Sequence, residues 1–395
     1  MAVISEQQRR SAKLSRLDAW RKVRRAFSRL ISGASPDVCM DVAAWANEHG
    51  CFVAQLHPAV IDEVRPYINY DRVAQEEFKT HRAALERAQT LVTIESATVR
   101  DVVGFVELSD GQICYEGNWW LPYLQGHPAY KRRFTLKRRR LNGNIYSLLC
   151  LWVSEFYHWF HDVLPRLEMA LPYLPADTRF LINSNPKAWQ LDSLVAFGIG
   201  PDRLEIQPDH IHTRVERLWF ATPLGHSSLG SGLVMRRVAN RLRRYFIDDY
   251  ANHKSHHRIY VSRRKAAYRR IVNENEISPS LSAHGFETML CEDLSLAEQV
   301  TLFAKSTAII GGHGAGLTNL IYSMPDSFVG EIYIDGVPPA YLVMSQQLGM
   351  RFNRFKANPL PVEQSQVDMQ VDAAGFRKWI CDCLDPLKQP ARNPI

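Results

Sequence analysis

With 395 residues, the chain is long enough for two domains, each with its own apolar core. Hydrophobic residues make up 46% of the chain and charged residues 23%, values that exclude a fibrous or an intrinsically disordered protein. The 48 lysines and arginines exceed the 41 acidic residues, and the net charge of +7 favours anionic partners such as phosphorylated small molecules, nucleic acid or an anionic membrane surface.

The first 90 residues are predicted to form a helical, basic segment. Apolar residues recur there at helical spacing between lysines and arginines, at Leu14, Leu17, Trp20, Val23 and Phe27. This pattern indicates either a helix packed on the protein with its basic face in water or a peripheral contact with an anionic inner-membrane face. The segment has no apolar run long enough to predict a secretory signal or a membrane span.

The seven cysteines follow no recognised spacing pattern. Cys381 and Cys383, for example, are separated by a single residue, which fits neither a zinc site nor a disulfide framework. Together with the missing leader pattern, this spacing predicts a cytoplasmic protein.

An α/β domain is predicted over residues 91–250. A strand pattern over residues 178–184 is followed by a helix pattern over residues 187–199 and by another strand pattern over residues 215–223. Upstream, the segment from Tyr157 to Leu174 has helical periodicity up to its prolines.

A second α/β domain is predicted over residues 251–365, after a polar, histidine-rich stretch that ends at His257 and indicates a linker. Strand patterns there alternate with helix patterns, and one helix begins with a capping box at Ser295. Such alternation predicts a parallel, doubly wound sheet. Residues 366–395 are predicted to form a last helix, from about Asp368, and a tail.

A glycine-rich loop separates a predicted strand from a predicted helix in the second domain. Glycines surround His313 at Gly311, Gly312, Gly314 and Gly316. In a parallel sheet, ligands bind at the carboxyl ends of strands, where glycines let a ligand approach the backbone and a helix N-terminus favours an anion. The loop has neither the Walker lysine nor the dinucleotide spacing, so it predicts another kind of diphosphate site. The alternative is that the glycines serve tight turns alone.

A basic run follows another strand of the same predicted sheet. It carries Ser262, Arg263, Arg264, Arg269 and Arg270, and the planar fork of arginine matches phosphate oxygens. Taken alone, such a run is typical of a solvated loop. Because the carboxyl ends of parallel strands meet at one edge, we expect the basic run and the glycine loop to converge on one anionic ligand.

These motifs together resemble glycosyltransferase family 61, in the bacterial branch described as capsular polysaccharide biosynthesis proteins. The resemblance rests on YHWFHDVLPRL, YVSRRKAAYRRIVNENE and LSLAEQVTLFAKSTAIIGGHGAGLTNLIYSMPDSFVGEIY, and it covers about Tyr157 to Tyr333. It implies a GT-B-like α/β fold, in which two Rossmann-like domains with parallel, doubly wound sheets face a cleft. It also implies an inverting transferase that needs no catalytic metal.

The resemblance further implies roles for individual residues. Those implied to bind the nucleotide sugar are Arg263, Arg269, Asn273, Gln299, Gly312, His313, Gly314, Ala315, Gly316, Asn319 and Glu331. Arg263 and Arg269 are expected to contact the diphosphate. By analogy with other GT-B enzymes, Glu331 is expected to bind the ribose hydroxyls.

The upstream helix is expected to supply the base that takes a proton from the acceptor hydroxyl. His158 and Asp162 are four residues apart and therefore share one helical face. Either one is a candidate for the base, with the other as its partner; a salt bridge or a packed core histidine is the structural alternative. His161 and Arg166 are expected on the acceptor side. These side chains lack a further metal ligand, so no metal is expected.

Together with these residues, the resemblance therefore implies an inverting, metal-independent glycosyltransferase without a cofactor. The expected donor is a nucleotide diphosphate sugar, with a UDP-sugar as the first choice. The expected acceptor is a hydroxyl of a glycan or lipid-linked precursor of a bacterial capsule, exopolysaccharide or lipopolysaccharide. The alternative is a non-catalytic nucleotide- or glycan-binding relative. Nucleic-acid binding through the basic run over residues 131–140 is not expected, since Phe134 is its only aromatic residue.

Overall fold

The computed structural model describes residues 38–70, 72–117, 138–248, 256–361 and 367–384. Two β-sheets and a two-stranded hairpin organise these residues. The predicted amphipathic helix over residues 14–27 and most of the basic run over residues 131–140 lie outside the described residues. Within the described ranges, no helix is both long and apolar enough to cross a bilayer.

The first sheet contains ten strands. These are β1 (Val38–Cys39), β2 (Val53–His57), β3 (Gln89–Glu95), β4 (Thr98–Arg100), β5 (Phe105–Glu107), β6 (Ile113–Cys114), β7 (Arg138–Ser147), β8 (Arg179–Asn183), β9 (Leu204–Gln207) and β10 (His212–Ala221). The spatial order is β1-β6-β5-β4-β10-β7-β8-β9, and β3 pairs with both β10 and β2. The neighbours β10, β7, β8 and β9 run parallel, whereas β2, β3, β4, β5 and β6 pair in antiparallel fashion along this path.

This mixed sheet corrects the expectation that the first sheet is parallel throughout. β4 and β5 are joined only by residues 101–104, with Asp101 (φ 58°) and Gly104 (φ 71°) in the left-handed region. So short a connection can join antiparallel neighbours but cannot form the crossover that parallel neighbours need. Residues 38–90, expected to be helical and basic, also contribute β1 and β2 to the sheet. The domain boundaries themselves stay predictions.

Helices cover the sheet and connect its strands. They are α1 (Val42–Glu48), α2 (Ile61–Val64), α3 (Arg72–Leu85), α4 (Phe156–His158), α5 (Leu164–Ala170), α6 (Ala188–Ala196) and α7 (Gly232–Phe246), with 3₁₀ turns at Arg65–Tyr70, Tyr115–Gly117, Leu171–Tyr173 and Pro201–Arg203. The predicted strands in β8 and β10 and the predicted helix α6 are confirmed. Helix α7 begins where the Ser231 hydroxyl accepts a hydrogen bond from Val234 N–H at 3.3 Å.

The second sheet is parallel, as predicted. Its strands are β11 (His257–Val261), β12 (Phe286–Met289), β13 (Ser306–Gly312), β14 (Phe328–Tyr333) and β15 (Arg351–Lys356), in the order β12-β11-β13-β14-β15. The hairpin consists of β16 (Asn358–Pro361) and β17 (Val367–Gln370). The helices are α8 (Glu274–Ala283), α9 (Leu296–Ala304), α10 (Ala340–Gln347) and α11 (Ala373–Leu384), with 3₁₀ turns at Cys291–Asp293 and Ala315–Tyr322.

Local signals explain several of these elements, and one prediction needs correction. The Ser295 capping box forms, with Glu298 Oε2 accepting from Ser295 N–H at 2.7 Å. The helix predicted after the glycine loop is present as a 3₁₀ helix. Asp368 is not helical, because β17 pairs there with β16 and the last helix begins only at Ala373.

One apolar core joins the two sheets. The largest cluster of buried side chains includes Leu181 of β8, Val238 of α7, Phe303 of α9 and Ile309 of β13. Helix α7 contacts α5 and α6 on one side and α9 on the other. The two sheets are thus packed through α7, while a GT-B-like cleft between two separate domains stays a prediction.

Candidate active site

A cavity of about 780 Å³ lies at the carboxyl edge of the parallel part of the first sheet. β8 and β9 extend from one side of β7, and β10 lies on its other side. Chain order therefore reverses between β7 and β10, and open α/β sheets bind ligands at such switch points. The segments after both strands line the cavity, with Cys150, Leu151 and Trp152 after β7 and Pro223 to Ser228 after β10.

Three of the predicted residues reach this cavity from the helix after β7, namely His158, His161 and Asp162. The helix widens into a π-helical turn over Trp159–Val163, where Leu164 N–H donates to the Trp159 carbonyl. Pro165 follows immediately and has no N–H to donate, so a regular α-helical ladder cannot continue through it. The wider turn carries the helix past this proline into α5.

His158, Asp162 and Ser227 form a hydrogen-bonded group at the cavity wall. His158 Nδ1 lies 2.7 Å from Asp162 Oδ2, and Ser227 Oγ donates to the same oxygen at 3.0 Å. The other carboxylate oxygen, Oδ1, lies 3.1 Å from His161 Nδ1. The contact expected from the spacing of His158 and Asp162 is present, and Ser227 is a third member of the group.

These hydrogen bonds fix the ionisation state of Asp162. Burial by itself would raise the pKa of this carboxyl, but the hydrogen bonds from His158 and His161 outweigh burial and hold the pKa well below its usual range. An ionised carboxylate only accepts hydrogen bonds, so His158 Nδ1 carries the proton that it shares with Asp162. His158 Nε2 is then left with the lone pair that can take a proton.

His161 and Arg166 support this group from its buried side. Gly230 leaves room for the His161 ring, because a Cβ atom there would lie 2.9 Å from His161 Cε1. Arg166 Nε donates to the Asp162 carbonyl at 3.1 Å, and Nη2 donates to the Leu149 carbonyl at 3.2 Å. Both residues line the cavity, and these contacts give them a positioning role.

The glycine-rich loop lies at the switch point of the second sheet. β11 and β13 are neighbours, and β12 lies beyond β11, so chain order again reverses between adjacent parallel strands. Arg263 follows β11 and His313 follows β13. The expected convergence of the two loops is observed, because the Arg263 guanidinium lies directly over Gly314.

The space opened by the glycines is therefore taken by an arginine. A Cβ atom at Gly314 would overlap the Arg263 guanidinium, and one at Gly312 would lie 3.0 Å from Arg263 Cδ. At Gly316, the nearest atom would be Val261 Cγ1 at 2.8 Å. The glycines thus let Arg263 reach the carboxyl edge of the sheet. The expected approach of a ligand to the backbone of this loop stays a prediction.

Arg263 and Arg269 concentrate positive charge beside His313. Arg263 Nε donates to the Arg269 carbonyl at 3.0 Å, and Arg263 Nη2 donates to the Tyr268 carbonyl at 2.9 Å. Burial lowers the pKa of Arg263, and the positive charge of Arg269 lowers it further. Arg269 also lowers the pKa of His313, which places the three groups in one electrostatic environment.

This arginine pair lacks the carboxylates that neutralise its neighbours. Lys265 pairs with Asp293, and Arg270 pairs with Asp368. In the described part of the chain, neither Arg263 nor Arg269 has such an ion pair, and Arg269 Nε is buried without a hydrogen-bond partner. An anion would satisfy both the charge and the unpaired N–H.

Glu331 lies fully buried beneath His313. Its Oε1 lies 2.5 Å from His313 Nδ1, and its Oε2 lies 2.9 Å from Arg354 Nε. Both carboxylate oxygens of Glu331 are engaged inside the protein, and the ribose-binding role expected for it stays a prediction. Burial lowers the pKa of His313 despite the opposing effect of Glu331, which favours a neutral ring held by its Nδ1–H. His313 Nε2 is the nitrogen left to meet a ligand.

Two amides predicted to bind the nucleotide sugar bind each other. Asn319 is fully buried and donates to Gln299 Oε1 at 2.8 Å and to the Gly316 carbonyl at 3.1 Å. Gln299 Nε2 donates to the Leu294 carbonyl at 3.0 Å. These bonds join α9 to the 3₁₀ helix of the glycine loop, while Asn319 Oδ1 is buried without a hydrogen-bond partner among the described residues. The donor contact expected for the two amides stays a prediction.

Asn273 is likewise engaged within the fold. Its Nδ2 donates to the Val371 carbonyl at 2.8 Å, and its Oδ1 accepts from Val371 N–H at 3.0 Å. The side chain fixes the segment after β17 to the start of α8, and the contact with the donor predicted for Asn273 stays a prediction. Ala315 is the exposed residue of the glycine loop.

Two tyrosines connect the base group with the arginine pair. Tyr157 stacks on His161 at 4.8 Å between ring centroids and meets Tyr341 edge-on at 5.9 Å. Tyr341 donates its hydroxyl to the Gly314 carbonyl at 2.7 Å and lies 5.1 Å from the His313 ring. One layer of aromatic rings therefore separates the two halves of the site.

The sequence alone does not indicate Ser227, Trp152 or Tyr341. Ser227 and Trp152 each follow a strand of the parallel part of the first sheet, and their position after a strand end is the one signal for them. Recognising it requires knowing that β7 and β10 are neighbours, which no local pattern reveals. Tyr341 lies on α10, where neighbouring buried residues make it resemble core.

Part of the chain is similar to a known protein family. Residues 156–329 match the family model described as Glycosyltransferase 61. The match contains His158, Asp162, Ser227, Arg263 and His313, so it covers both halves of the site. It supports the resemblance predicted from the motifs, while the bacterial branch stays a prediction.

The chain is also similar to three proteins named EGF domain-specific O-linked N-acetylglucosamine transferase. Identity is 28% over 141 residues for the Bos taurus protein, 26% over 152 residues for Drosophila melanogaster and 29% over 141 residues for Gallus gallus. The alignments cover 34%, 38% and 34% of this chain and 27%, 29% and 26% of those relatives. The chain thus spans under a third of the length of the curated relatives it matches.

Proposed function

We propose that this chain is a glycosyltransferase that moves a sugar from a nucleotide diphosphate sugar to an acceptor hydroxyl. The observation that carries the proposal is that a base group and an unneutralised arginine pair, each at the switch point of its sheet, lie on either side of one layer of aromatic rings. Displacement of a diphosphate by a hydroxyl needs both a proton acceptor and positive charge for the leaving group. The family match and the relatives' names support the same activity.

In the proposed step, His158 Nε2 accepts the acceptor's hydroxyl proton while that oxygen bonds to the anomeric carbon of the donor sugar. The bond from this carbon to the diphosphate oxygen breaks, and its electron pair leaves with the nucleoside diphosphate. Attack opposite to the leaving group inverts the anomeric carbon. His158 is assigned as the base because the low pKa of Asp162 makes its carboxylate a weak base. Asp162 holds the ring and stabilises its protonated form.

The departing diphosphate is assigned to Arg263 and Arg269, with His313 beside them. An arginine side chain can donate two parallel hydrogen bonds to phosphate oxygens. The buried Arg269 Nε has no hydrogen-bond partner among the residues that the structure describes and can donate to such an oxygen. The two guanidinium groups supply the positive charge that stabilises the leaving group, so we propose that transfer proceeds without a metal ion.

The donor and acceptor belong to the same proposal. The relatives are named for N-acetylglucosamine transfer, so UDP-N-acetylglucosamine is the first donor to test. The motif resemblance favours a bacterial surface glycan or its lipid-linked precursor as the acceptor, handled at the cytoplasmic face of the inner membrane.

The test is a transfer assay on the purified protein. UDP-, GDP-, CDP- and dTDP-linked sugars are offered with a panel of oligosaccharide acceptors, with and without EDTA, and released nucleoside diphosphate and glycosylated product are measured. We expect turnover with one nucleotide class, unchanged by EDTA and lost in His158→Ala.

Two other outcomes would count against the proposal. Binding of a nucleotide without turnover on any acceptor would favour the non-catalytic relative. Failure of all four nucleotides to bind would contradict the assignment of the arginine pair and with it the transferase.

A further inference from the structure

Trp152 holds a backbone conformation that its side chain disfavours. Its φ is +62°, in the left-handed region that glycine adopts freely and a bulky residue rarely enters. The non-glycine residues of the described chain with positive φ are Ser96, Asp101, Trp152, His210, Arg269 and Asp326. The two bulkiest of them, Trp152 and Arg269, both belong to the candidate site. Backbone strain that persists at a candidate active site indicates that the side chain of the strained residue has a function there.

The Trp152 indole adjoins the proposed base. The residue is 42% exposed and lines the cavity. Its ring centroid lies 4.8 Å from that of His158, with the planes tilted by 33°. A turn fixes the position, because Val153 N–H donates to the Cys150 carbonyl at 3.2 Å and Glu155 N–H donates to the Trp152 carbonyl at 2.8 Å. An accessible aromatic surface is therefore held rigidly beside the proton-accepting histidine.

We propose that Trp152 is the platform on which the acceptor stacks, and that the acceptor is a sugar rather than a polypeptide hydroxyl. The inference rests on the proposed glycosyltransferase function. One face of a pyranose ring is lined by C–H groups, which pack on an indole, while its hydroxyls project from the rim. Trp152 and His158 are in contact and line the same cavity, so we place the sugar on the open face of the indole with a rim hydroxyl directed towards His158 Nε2, where the proton is to be taken.

The rest of the cavity has the size and chemistry for such a ligand. Its volume of about 780 Å³ falls within the range of small-molecule sites, roughly 300–1,000 Å³. Leu151 and Leu224 add apolar surface, and Glu77, Thr80 and Arg87 add polar groups on and after α3. A serine or threonine of a folded protein would bring no ring for the indole to contact.

The experiment compares Trp152→Gly with Trp152→Phe. Glycine adopts φ +62° without strain and removes the ring, whereas phenylalanine keeps an aromatic surface. The matched control is Tyr173→Gly, which removes an aromatic residue of similar exposure (46%) that does not line the cavity. Thermal melting, donor KM, acceptor KM and kcat are measured for each protein. Saturation-transfer NMR with methyl glycosides of glucose, galactose and N-acetylglucosamine reports sugar binding independently of transfer.

For Trp152→Gly we expect a Tm equal to or above that of the wild type, because the strain is relieved. The acceptor KM should rise about tenfold, the donor KM should stay unchanged, and Trp152→Phe should recover most of the loss. The NMR signal of at least one methyl glycoside should disappear in Trp152→Gly and persist in the control.

Two results for Trp152→Gly would overturn the proposal that Trp152 is the acceptor platform. One is an unchanged acceptor KM, and the other is a lowered Tm with equal rises in the donor KM and the acceptor KM. If the wild type transfers no sugar at all, the proposed function fails, and the NMR arm still decides the platform. In that case, an NMR signal of a methyl glycoside that is present with the wild type and absent with Trp152→Gly supports a sugar site at Trp152. The absence of any glycoside signal with the wild type overturns the sugar site.

Discussion

The two halves of the site differ in how far their polar groups are satisfied. Asp162 accepts hydrogen bonds from His158, His161 and Ser227, so the base group is complete without a ligand. Arg263 and Arg269, by contrast, carry charge that no described carboxylate neutralises. The first half is organised in advance for proton transfer, and the second is completed only when an anion binds. Substitutions in the two halves should therefore have separable effects.

The largest effect is expected from Asp162→Asn. An amide at this position can donate to His158 Nδ1 and so favour the wrong tautomer, which places the proton on Nε2. We expect kcat to fall by about 10²–10⁴ with the affinity for nucleoside diphosphate unchanged. Asp192→Asn, at an exposed position on α6, is the control and should leave kcat as it is. A kcat close to that of the wild type in Asp162→Asn would rule out the assigned base group.

Arg269→Gln should act on donor binding instead. Loss of a charged hydrogen bond to phosphate costs about 1.5–3 kcal/mol, so the donor KM should rise roughly 10- to 100-fold with a smaller change in kcat. Arg258→Gln removes the same charge at the opposite end of β11 and serves as the control. An equal rise of the donor KM in both variants would mean that the overall positive charge of the protein, rather than the arginine pair, attracts the donor.

A third prediction separates binding residues from structural ones. Asn319→Leu leaves Gln299 Oε1 and the Gly316 carbonyl without their donor, so the free energy of unfolding should fall by about 1–3 kcal/mol. Nucleotide affinity of the folded protein should not change. Urea unfolding and calorimetry measure the two quantities. Unchanged stability with lost affinity would restore the donor contact expected from the sequence.

The smallest effect concerns pH. His226 stacks on His81 at 3.5 Å between ring centroids, and burial, followed by the charge of His81, lowers the pKa of His226 to about 3. The unfolded value is near 6.5, so the folded state keeps its full stability above that pH and loses it as the pH falls below it. At pH 5.5 this group should cost roughly 1 kcal/mol of stability.

His226→Gln should remove that part of the acid sensitivity. Its unfolding free energy, measured in urea between pH 7.5 and 5.5, should decline less than that of the wild type. His210→Gln, at an exposed loop position, is the control and should follow the wild-type curve. If the unfolding free energies of His226→Gln and the wild type decline equally between pH 7.5 and 5.5, then His226 is not buried as a neutral ring in the folded protein.

The sequence predicted the second sheet better than the first. In β11, β13 and β14 the strand patterns are continuous and separated by helices, so alternation alone indicates parallel neighbours. β2 to β6 are short, and their pairing with one another and with β10 depends on turns such as residues 101–104, which have no single strong signal. Periodicity therefore indicated the parallel parts and missed the antiparallel ones.

Within the site, sequence spacing was sufficient only for local pairs. The i, i+4 spacing places His158 beside Asp162, whereas Ser227 joins them from the end of β10 and cannot be found by spacing. The glycine loop indicated a close approach to the backbone, and the group found there is Arg263 of the same chain. Glu331 and Asn319 are polar residues of the glycine-loop region, and their partners become visible only once the side chains are packed.

The decisive measurement is calorimetric titration of UDP, GDP, CDP and dTDP into the wild type, Asp162→Asn and Arg269→Gln without added metal. We expect one nucleotide to bind the wild type and Asp162→Asn with the same Kd and to bind Arg269→Gln at least tenfold more weakly. Affinity lost in Asp162→Asn and kept in Arg269→Gln would contradict this expectation, because the donor would then lie in the cavity of the first sheet.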